Sequence, residues 1–422
     1  MKPVLIKILA TIVVGFICSA IAYSLHYLTE LTEYALLNKA ISFYHGVLIV
    51  GLPFLGLLII WLLNRYVFKG PASKGISEVL QMARSNDPEN LKTSKIPSHF
   101  LSGWLTVMTG GSTGIEVSTV VTSAATGSWM SRSLKLDYSF QKHLLIAGAA
   151  AGLAALFQSP LGGLFFALEV LSATITIELI GYIILAVVVS AVFIYLEGTH
   201  APMFSIDSQG WRWKAVPFFI VLSVITACLS SLLTVTVVRT KSFFIRKFKG
   251  VGRVVIGGLC VGIIVFALRP LYGEGYPLII KLISGNLNLM QLWTSSGKMT
   301  VLFLILILIL KPLATSITLA SGGDGGIFAP SLFLGAVAGY LLVLCINSWL
   351  ALDLFQNNFI VIGMAALLSA SIHAPLAATF LCLSITGAYE LLVPVLFTSV
   401  LSSIFVKRIV SYTVYSYSGV LK

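Results

Sequence analysis

Long apolar runs, broken by short charged or glycine-rich interruptions, dominate this chain. Stretches free of Asp, Glu, Lys and Arg cover residues 8–29, 40–64, 96–115, 117–131, 143–168, 179–196, 215–238, 254–268, 325–352, 354–389 and 391–406. A bilayer-spanning helix takes about 20 mostly apolar residues, so these runs read as membrane spans. Their lengths are uneven. The run from Leu354 to Tyr389 must hold two helices, and 117–131 is too short to cross unaided. Uneven lengths with glycine interruptions predict tilted and broken helices rather than a regular bundle. The segment after Met1–Lys7 resembles a signal peptide, but its apolar run of about 22 residues exceeds a signal core and lacks a clear cleavage site. It reads as the first span.

Composition turns this pattern into a class. Apolar residues make up 58% of the 422, charged residues 10%, and the mean hydropathy is +0.99. Soluble domains carry roughly 25% charge, so the expected fold is an all-α polytopic membrane protein. The net charge of +12 comes with no nucleic-acid motif, and cytoplasmic loops of membrane proteins collect Lys and Arg. Nucleic acid is therefore not an expected partner; the lipid bilayer is. Cys18, Cys228, Cys260, Cys345 and Cys382 stand singly in apolar segments, which argues against a metal site or a disulfide framework.

Charge also orients the chain. Residues 239–253 carry Arg239, Lys241, Arg246, Lys247, Lys249 and Arg253 without an acidic residue, which predicts a cytoplasmic loop. Residues 65–95, with a basic excess over Glu78, Asp87 and Glu89, fall on the same side. The stretch with Glu30, Glu33 and Lys39 reads as an external loop, leaving the N-terminus cytoplasmic.

A repeat organises the runs. Gly148–Leu168 overlays Gly363–Leu383 at an offset of 215 with nine identities, among them Gly148/Gly363, Pro160/Pro375, Leu161/Leu376 and Phe165/Phe380. Upstream, Gly110–Gly127 overlays Gly322–Gly339 at an offset of 212, sharing two leading glycines and a Gly-Ile step. The expected division is 1–205 for the first half and 206–422 for the second. Duplicated transporters carry substrate where the halves meet, on broken helices whose N-termini face it. Free first-turn N–H groups and the helix dipole make such an end an anion site. The plainer reading is that the glycines permit tight helix crossings.

The residues that carry these features resemble the CLC family of chloride channels and chloride/proton antiporters. Gly325-Gly326-Ile327-Phe328-Ala329-Pro330 matches the family's GxFxP signature, and residues 147–169 are similar to the segment after its first helix break. Lys74-Gly75-Ile76-Ser77-Glu78 stands where the family has a GSGIPE-like motif, and Tyr415-Ser416 matches its chloride-binding tyrosine. The similarity spans essentially the whole chain. It implies a CLC-like inverted repeat of two halves, anion transport rather than catalysis, bound chloride ions but no cofactor, and a homodimer with one pore per subunit. The implied central anion site comprises the N–H groups of Ile327 and Phe328, the Tyr415 hydroxyl and the residue at position 74. The implied outer site uses N–H groups around Ser112, Thr113, Gly114 and Ile115. Amides and a hydroxyl hold a weakly hydrated halide loosely enough to release it. Without the resemblance, Tyr415 reads as an interfacial anchor. The family's regulatory cytoplasmic domains have no counterpart expected after Tyr415.

Three departures bear on mechanism. Thr113 stands where the family has its gating, proton-carrying glutamate, and a threonine neither competes as an anion nor titrates near neutral pH. The antiporters' inner proton glutamate falls at Val170; the adjacent Glu169, about 100° round a helix, matches a structural glutamate instead. The leading expectation is therefore a passive anion channel, the alternative a proton-coupled antiporter using Glu116. Lys74 replaces a chloride-coordinating serine. Either it is a fixed cation near the pore or the register slips by one, with Ser73 in the pore and Lys74 in water. Glu116 lies one expected helical turn beyond Thr113. It reads as a displaced gate or as a structural carboxylate bonded to a neighbouring hydroxyl or cation, with the second favoured.

Other classes fit poorly. Gly111-Ser112-Thr113-Gly114 faintly resembles the GxSG motif of intramembrane serine proteases, but the nucleophile position holds Thr and the repeat would go unexplained. No zinc-type spacing occurs among the six histidines, and His373, opposite Gln158 in the repeat, reads as a packing residue.

Overall fold

The structure, a computed structural model, describes residues 2–42, 46–69, 75–85, 91–172, 174–198, 201–285 and 297–417. Its first part contains α1 (Lys2–Ser42), α2 (Gly46–Leu62), α3 (Ile76–Arg84), α4 (Lys95–Met108), α5 (Glu116–Ser133), α6 (Tyr138–Leu156), α7 (Pro160–Phe166) and α8 (Ile177–Glu197). The second contains α9 (Val216–Lys247), α10 (Gly250–Ala267), α11 (Tyr276–Ile283), α12 (Gly297–Ala320), α13 (Phe328–Leu350), α14 (Gln356–Ile372), α15 (Pro375–Thr386) and α16 (Leu392–Ile409). Seven helical spans among the described residues are long and apolar enough to cross a membrane. Apolar side chains such as Val13 and Phe16 on α1, Val188 on α8 and Ile309 on α12 face outward, as a lipid-facing surface requires. The protein is an integral, multi-pass membrane protein.

Short helices are covered by longer ones. α5 and α14 are buried on nearly every face, so each is sheathed by protein rather than lipid. α5 packs against α6, and α13 against α14, with small residues at both crossings. A Cβ on Gly127 would lie 2.2 Å from the Leu144 carbonyl oxygen, and one on its repeat partner Gly339 would lie 1.9 Å from the Phe359 oxygen. Such close backbone approach is how membrane helices gain packing where lipid offers no hydrophobic drive. The charge-free run from Leu354 to Tyr389 divides as expected into α14 and α15. Pro375 at the first turn of α15 and Pro160 at that of α7 occupy the position where a missing N–H costs nothing. Phe165 and Phe380, paired at the same offset, stack with ring centroids 5.1 Å apart.

Two expectations fail. α1 continues unbroken to Ser42, so Glu30 and Glu33 lie on a helix and not in an external loop. The run-based reading also places no span between residues 268 and 325, yet α12 lies there. Lys311 interrupts its apolar run and is fully buried. The helix tolerates it because its ammonium donates to the carbonyl oxygens of Gly273 at 3.0 Å and Glu274 at 3.3 Å and sits 4.9 Å from the Phe333 ring centroid.

The α13–α14 crossing yields a test. A Cβ on Gly363 would come within 2.2 Å of the Gly335 oxygen, whereas one on Gly51 meets nothing within 4 Å. Gly363→Ala should lower the unfolding midpoint of the detergent-solubilised protein by the equivalent of about 1–3 kcal/mol, the usual cost of overpacking. Gly51→Ala should leave the midpoint within experimental scatter.

Candidate anion site at two helix breaks

Both repeated glycine blocks are helix breaks. α4 ends at Met108 and α5 begins at Glu116, while α12 ends at Ala320 and α13 begins at Phe328. Gly110 and Gly322 turn the chain out of the preceding helices with φ of +90° and +103°, a conformation open to glycine without steric cost. The two breaks meet. Gly114 and Gly326 exchange hydrogen bonds, with the Gly326 N–H donating to the Gly114 oxygen at 3.1 Å and the Gly114 N–H to the Gly326 oxygen at 3.4 Å. The Thr113 hydroxyl adds a third, donating to the Gly326 oxygen at 2.8 Å.

Hydroxyls on the preceding helices reinforce the meeting reciprocally. Thr106 on α4 donates to its own helix at Ser102 and accepts the Asp324 N–H at 3.0 Å. Thr318 on α12 donates to Ala314 and accepts the Ser112 N–H at 3.1 Å. Each residue in the first arrangement has its counterpart at the 212-residue offset in the second. His99 on α4 and Asp324, both buried, approach to 2.7 Å beside this junction.

The candidate anion-binding residues then fall as follows. The Ser112, Thr113 and Gly114 amides donate to the Thr318 hydroxyl, the Gly111 oxygen and the Gly326 oxygen. The Ile115 N–H, at the N-cap of α5, donates to a carboxylate oxygen of Glu274 at 3.2 Å. In the second break, the Ile327 N–H caps α13 and donates to the Tyr415 hydroxyl at 3.3 Å. Phe328 is fully buried, with its ring 6.3 Å from that of Tyr415. The Tyr415 backbone is tied to the start of α3, its oxygen accepting from the Ser77 hydroxyl at 2.8 Å. Lys74 and Ser73 lie outside the described residues.

The acidic residues sort differently from the expectation. Thr113 precedes the helix and Glu116 opens it, so the two are not neighbours one turn apart on a helical face. Glu116 is 1% exposed and accepts from the Tyr276 hydroxyl at 3.2 Å. Its carboxyl folds back over Gly114, where a Cβ would lie 2.0 Å from Oε2. That oxygen makes no well-formed hydrogen bond, although the Ala329 amide in the first turn of α13 faces the carboxyl. Glu169 accepts the Leu376 and Ala377 N–H groups at 3.2 and 2.9 Å and so caps α15. Val170 is buried beside it. Glu274 and Lys311 escaped the sequence reading, since both lie outside the repeated blocks. The signals present were an acid between two glycines, Gly273-Glu274-Gly275, and a lone lysine in an apolar run.

Comparison with known proteins agrees with this architecture. Residues 55–407 match the family model described as "Voltage gated chloride channel". The chain belongs to the CLC family. Among its relatives are the H(+)/Cl(-) exchange transporters ClcA of Vibrio cholerae, 28% identical over 76% of this chain and 68% of theirs, and of Yersinia pestis, 27% identical over 88% and 76%. The ClcA of Vibrio vulnificus is 31% identical over 72% of this chain and 65% of its own. The fold matches a slow cyanobacterial Cl-/H+ antiporter with a TM-score of 0.81 at 19% identity, covering 97% of this chain and 96% of that one. It also matches a CLC-type fluoride/proton antiporter with a TM-score of 0.80 at 20% identity and the same coverages. Family membership makes this a protein of anion transport across a membrane and not an enzyme, with the all-α inverted-repeat fold of its solved relatives.

The reciprocal threonine bonds are directly testable. Thr106→Val and Thr318→Val keep shape but leave a buried N–H without its acceptor, which costs about 1–3 kcal/mol. Each should lower the denaturation midpoint by a similar amount, and Thr→Ser at either position should recover most of the loss. A large effect at one position and none at the other would contradict the reciprocity.

Proposed function

We propose that the protein exchanges chloride, or a similar small anion, for protons, with Glu116 as the titrating carboxylate in place of the group missing at Thr113. One observation carries this reading: a buried carboxyl opens α5, lies over Gly114 and faces the start of α13, where both candidate anion sites converge. A carboxylate there competes with an anion for helix N-termini, and protonation weakens that competition. The bond from Tyr276 fits the structural reading of Glu116 as well, so function and not contact must separate the two. The relatives' names support exchange over passive conduction. In this reading Ser112, Thr113, Gly114 and Ile115 surround the outer site, and Ile327, Phe328 and Tyr415 the central one. The passive-channel reading rests on Val170, an apolar residue where a second proton carboxylate would stand.

The units 1–205 and 206–422 are the two halves of this transporter, which works as a homodimer with one pore per subunit in a bacterial inner membrane. Its N-terminus lies in the cytoplasm. The mass of the purified protein by light scattering tests the dimer. A cysteine placed between α9 and α10 should react with impermeant reagents only from the cytoplasmic side.

Liposome flux decides between exchange and conduction. An imposed chloride gradient should drive protons uphill through the wild type, and Glu116→Gln should lose proton movement while retaining chloride flux. Chloride flux without any proton movement in the wild type would establish the passive channel instead.

A further inference from the structure

The Ile115 N–H is the one candidate outer-site amide that an acidic side chain holds among the described residues. Its partner, Glu274, is 6% exposed and comes from a turn distant in sequence. Gly273 and Gly275 shape that turn with φ of +53° and +87°, and Lys311 pins it by binding the carbonyl oxygens of Gly273 and Glu274. The carboxylate is thus delivered to the α5 N-terminus by a fixed turn. Glu116, nearly fully buried, crowds the same end, with an oxygen that lacks a well-formed hydrogen bond.

Behind Glu274 lies a third acid. Glu33 of α1 presses on Gly273, where a Cβ would lie 2.3 Å from its Oε1, and that oxygen is buried without a hydrogen-bond partner. The groups facing Glu274 are therefore Glu116 on α5, Tyr276 on α11, Lys311 on α12, and Glu33 with Glu30 on α1. Glu33, Glu116 and Glu274 surround the buried ammonium of Lys311. Three carboxyls around one ammonium place more acid than base away from water, so the charge on each bears on its neighbours. α1 carries Lys7, paired with Asp137 at 2.8 Å, near its opposite end. The acids accordingly run from the end of α1 remote from Lys7 toward the α5 N-terminus.

We propose that Glu274 is a latch on the outer anion site: its carboxylate holds the Ile115 N–H until a transported anion displaces it, and Glu33 connects it to the membrane face opposite Lys7. The inference rests on the placement of the outer site given above and adds a second acid to the one assigned there. Anion entry and proton uptake meet at the same atoms. A proton delivered to the Glu274 carboxylate removes its charge, releases its hold on the amide, and leaves that amide to the anion. Loss of the proton to Glu33 reverses the exchange. Lys311 keeps the turn in place throughout.

Chloride binding to the purified full-length protein tests this without requiring transport. Glu274→Gln retains the shape and removes the charge, so chloride should bind about tenfold more tightly than to the wild type. The dependence of affinity on pH should flatten. In Glu116→Gln, with Glu274 intact, chloride affinity should still fall as pH rises. Unchanged affinity in Glu274→Gln, or a flat pH profile in Glu116→Gln, would overturn the latch. Should Glu274→Gln fail to fold, the pH profile of Glu116→Gln decides alone. A tighter-binding Glu274→Gln in a protein that moves no protons would keep the latch and defeat the exchange reading. Proton coupling with unchanged chloride affinity would do the reverse.

Discussion

Two peptide groups, Gly114 and Gly326, bind one another where four helices stop and start. Everything that makes this a candidate anion site depends on that pairing. Helix ends in a membrane leave N–H groups that water cannot reach, and isolated breaks at this depth would be costly. Meeting back to back, the breaks satisfy the amides of Gly114 and Gly326, and Thr106 and Thr318 accept those of Asp324 and Ser112. The remaining capping amides, Ile115 and Ile327, bond to the side chains of Glu274 and Tyr415. Fixed donors are thereby concentrated in a site shielded from solvent, where their dipoles act with little screening.

Much of this was legible in the chain. Paired glycine blocks at a constant offset point to both breaks, after which α5 begins at Glu116 and α13 at Phe328. Two helices in the run from Leu354 to Tyr389 followed from length alone. The failures have physical causes. Charge-free runs stop at every lysine, but the Lys311 ammonium is solvated inside α12 by carbonyl oxygens and an aromatic face. Glu33 lies beyond the charge-free run 8–29, yet α1 continues through it, since a helix needs no apolar side chain to continue.

The site was legible only in its symmetric part. Backbone donors follow from the repeat, because both copies use the same glycines for the same turn. Glu274 has no such signature. It reaches Ile115 across 159 residues of chain, and nothing local in Gly273-Glu274-Gly275 says which helix end its carboxyl meets. The sequence points to Glu116 but not to the direction of its carboxyl, since a residue that opens a helix is free of the spacing rules that govern its interior.

The backbone contact of Gly335 with Gly363 bears on which ions the site can tell apart. Helices that touch main chain to main chain cannot slide without losing that contact, so in the proposed site the first turn of α13 is a stiff ligand. Its amides cannot draw closer to a small ion or retreat from a large one. Any adjustment to ionic radius falls to side chains that rotate, among them the Tyr415 ring and the Glu116 and Glu274 carboxyls. In the proposed site, discrimination between halides of different size therefore falls to the acids and the phenol more than to the peptide cradle beside them.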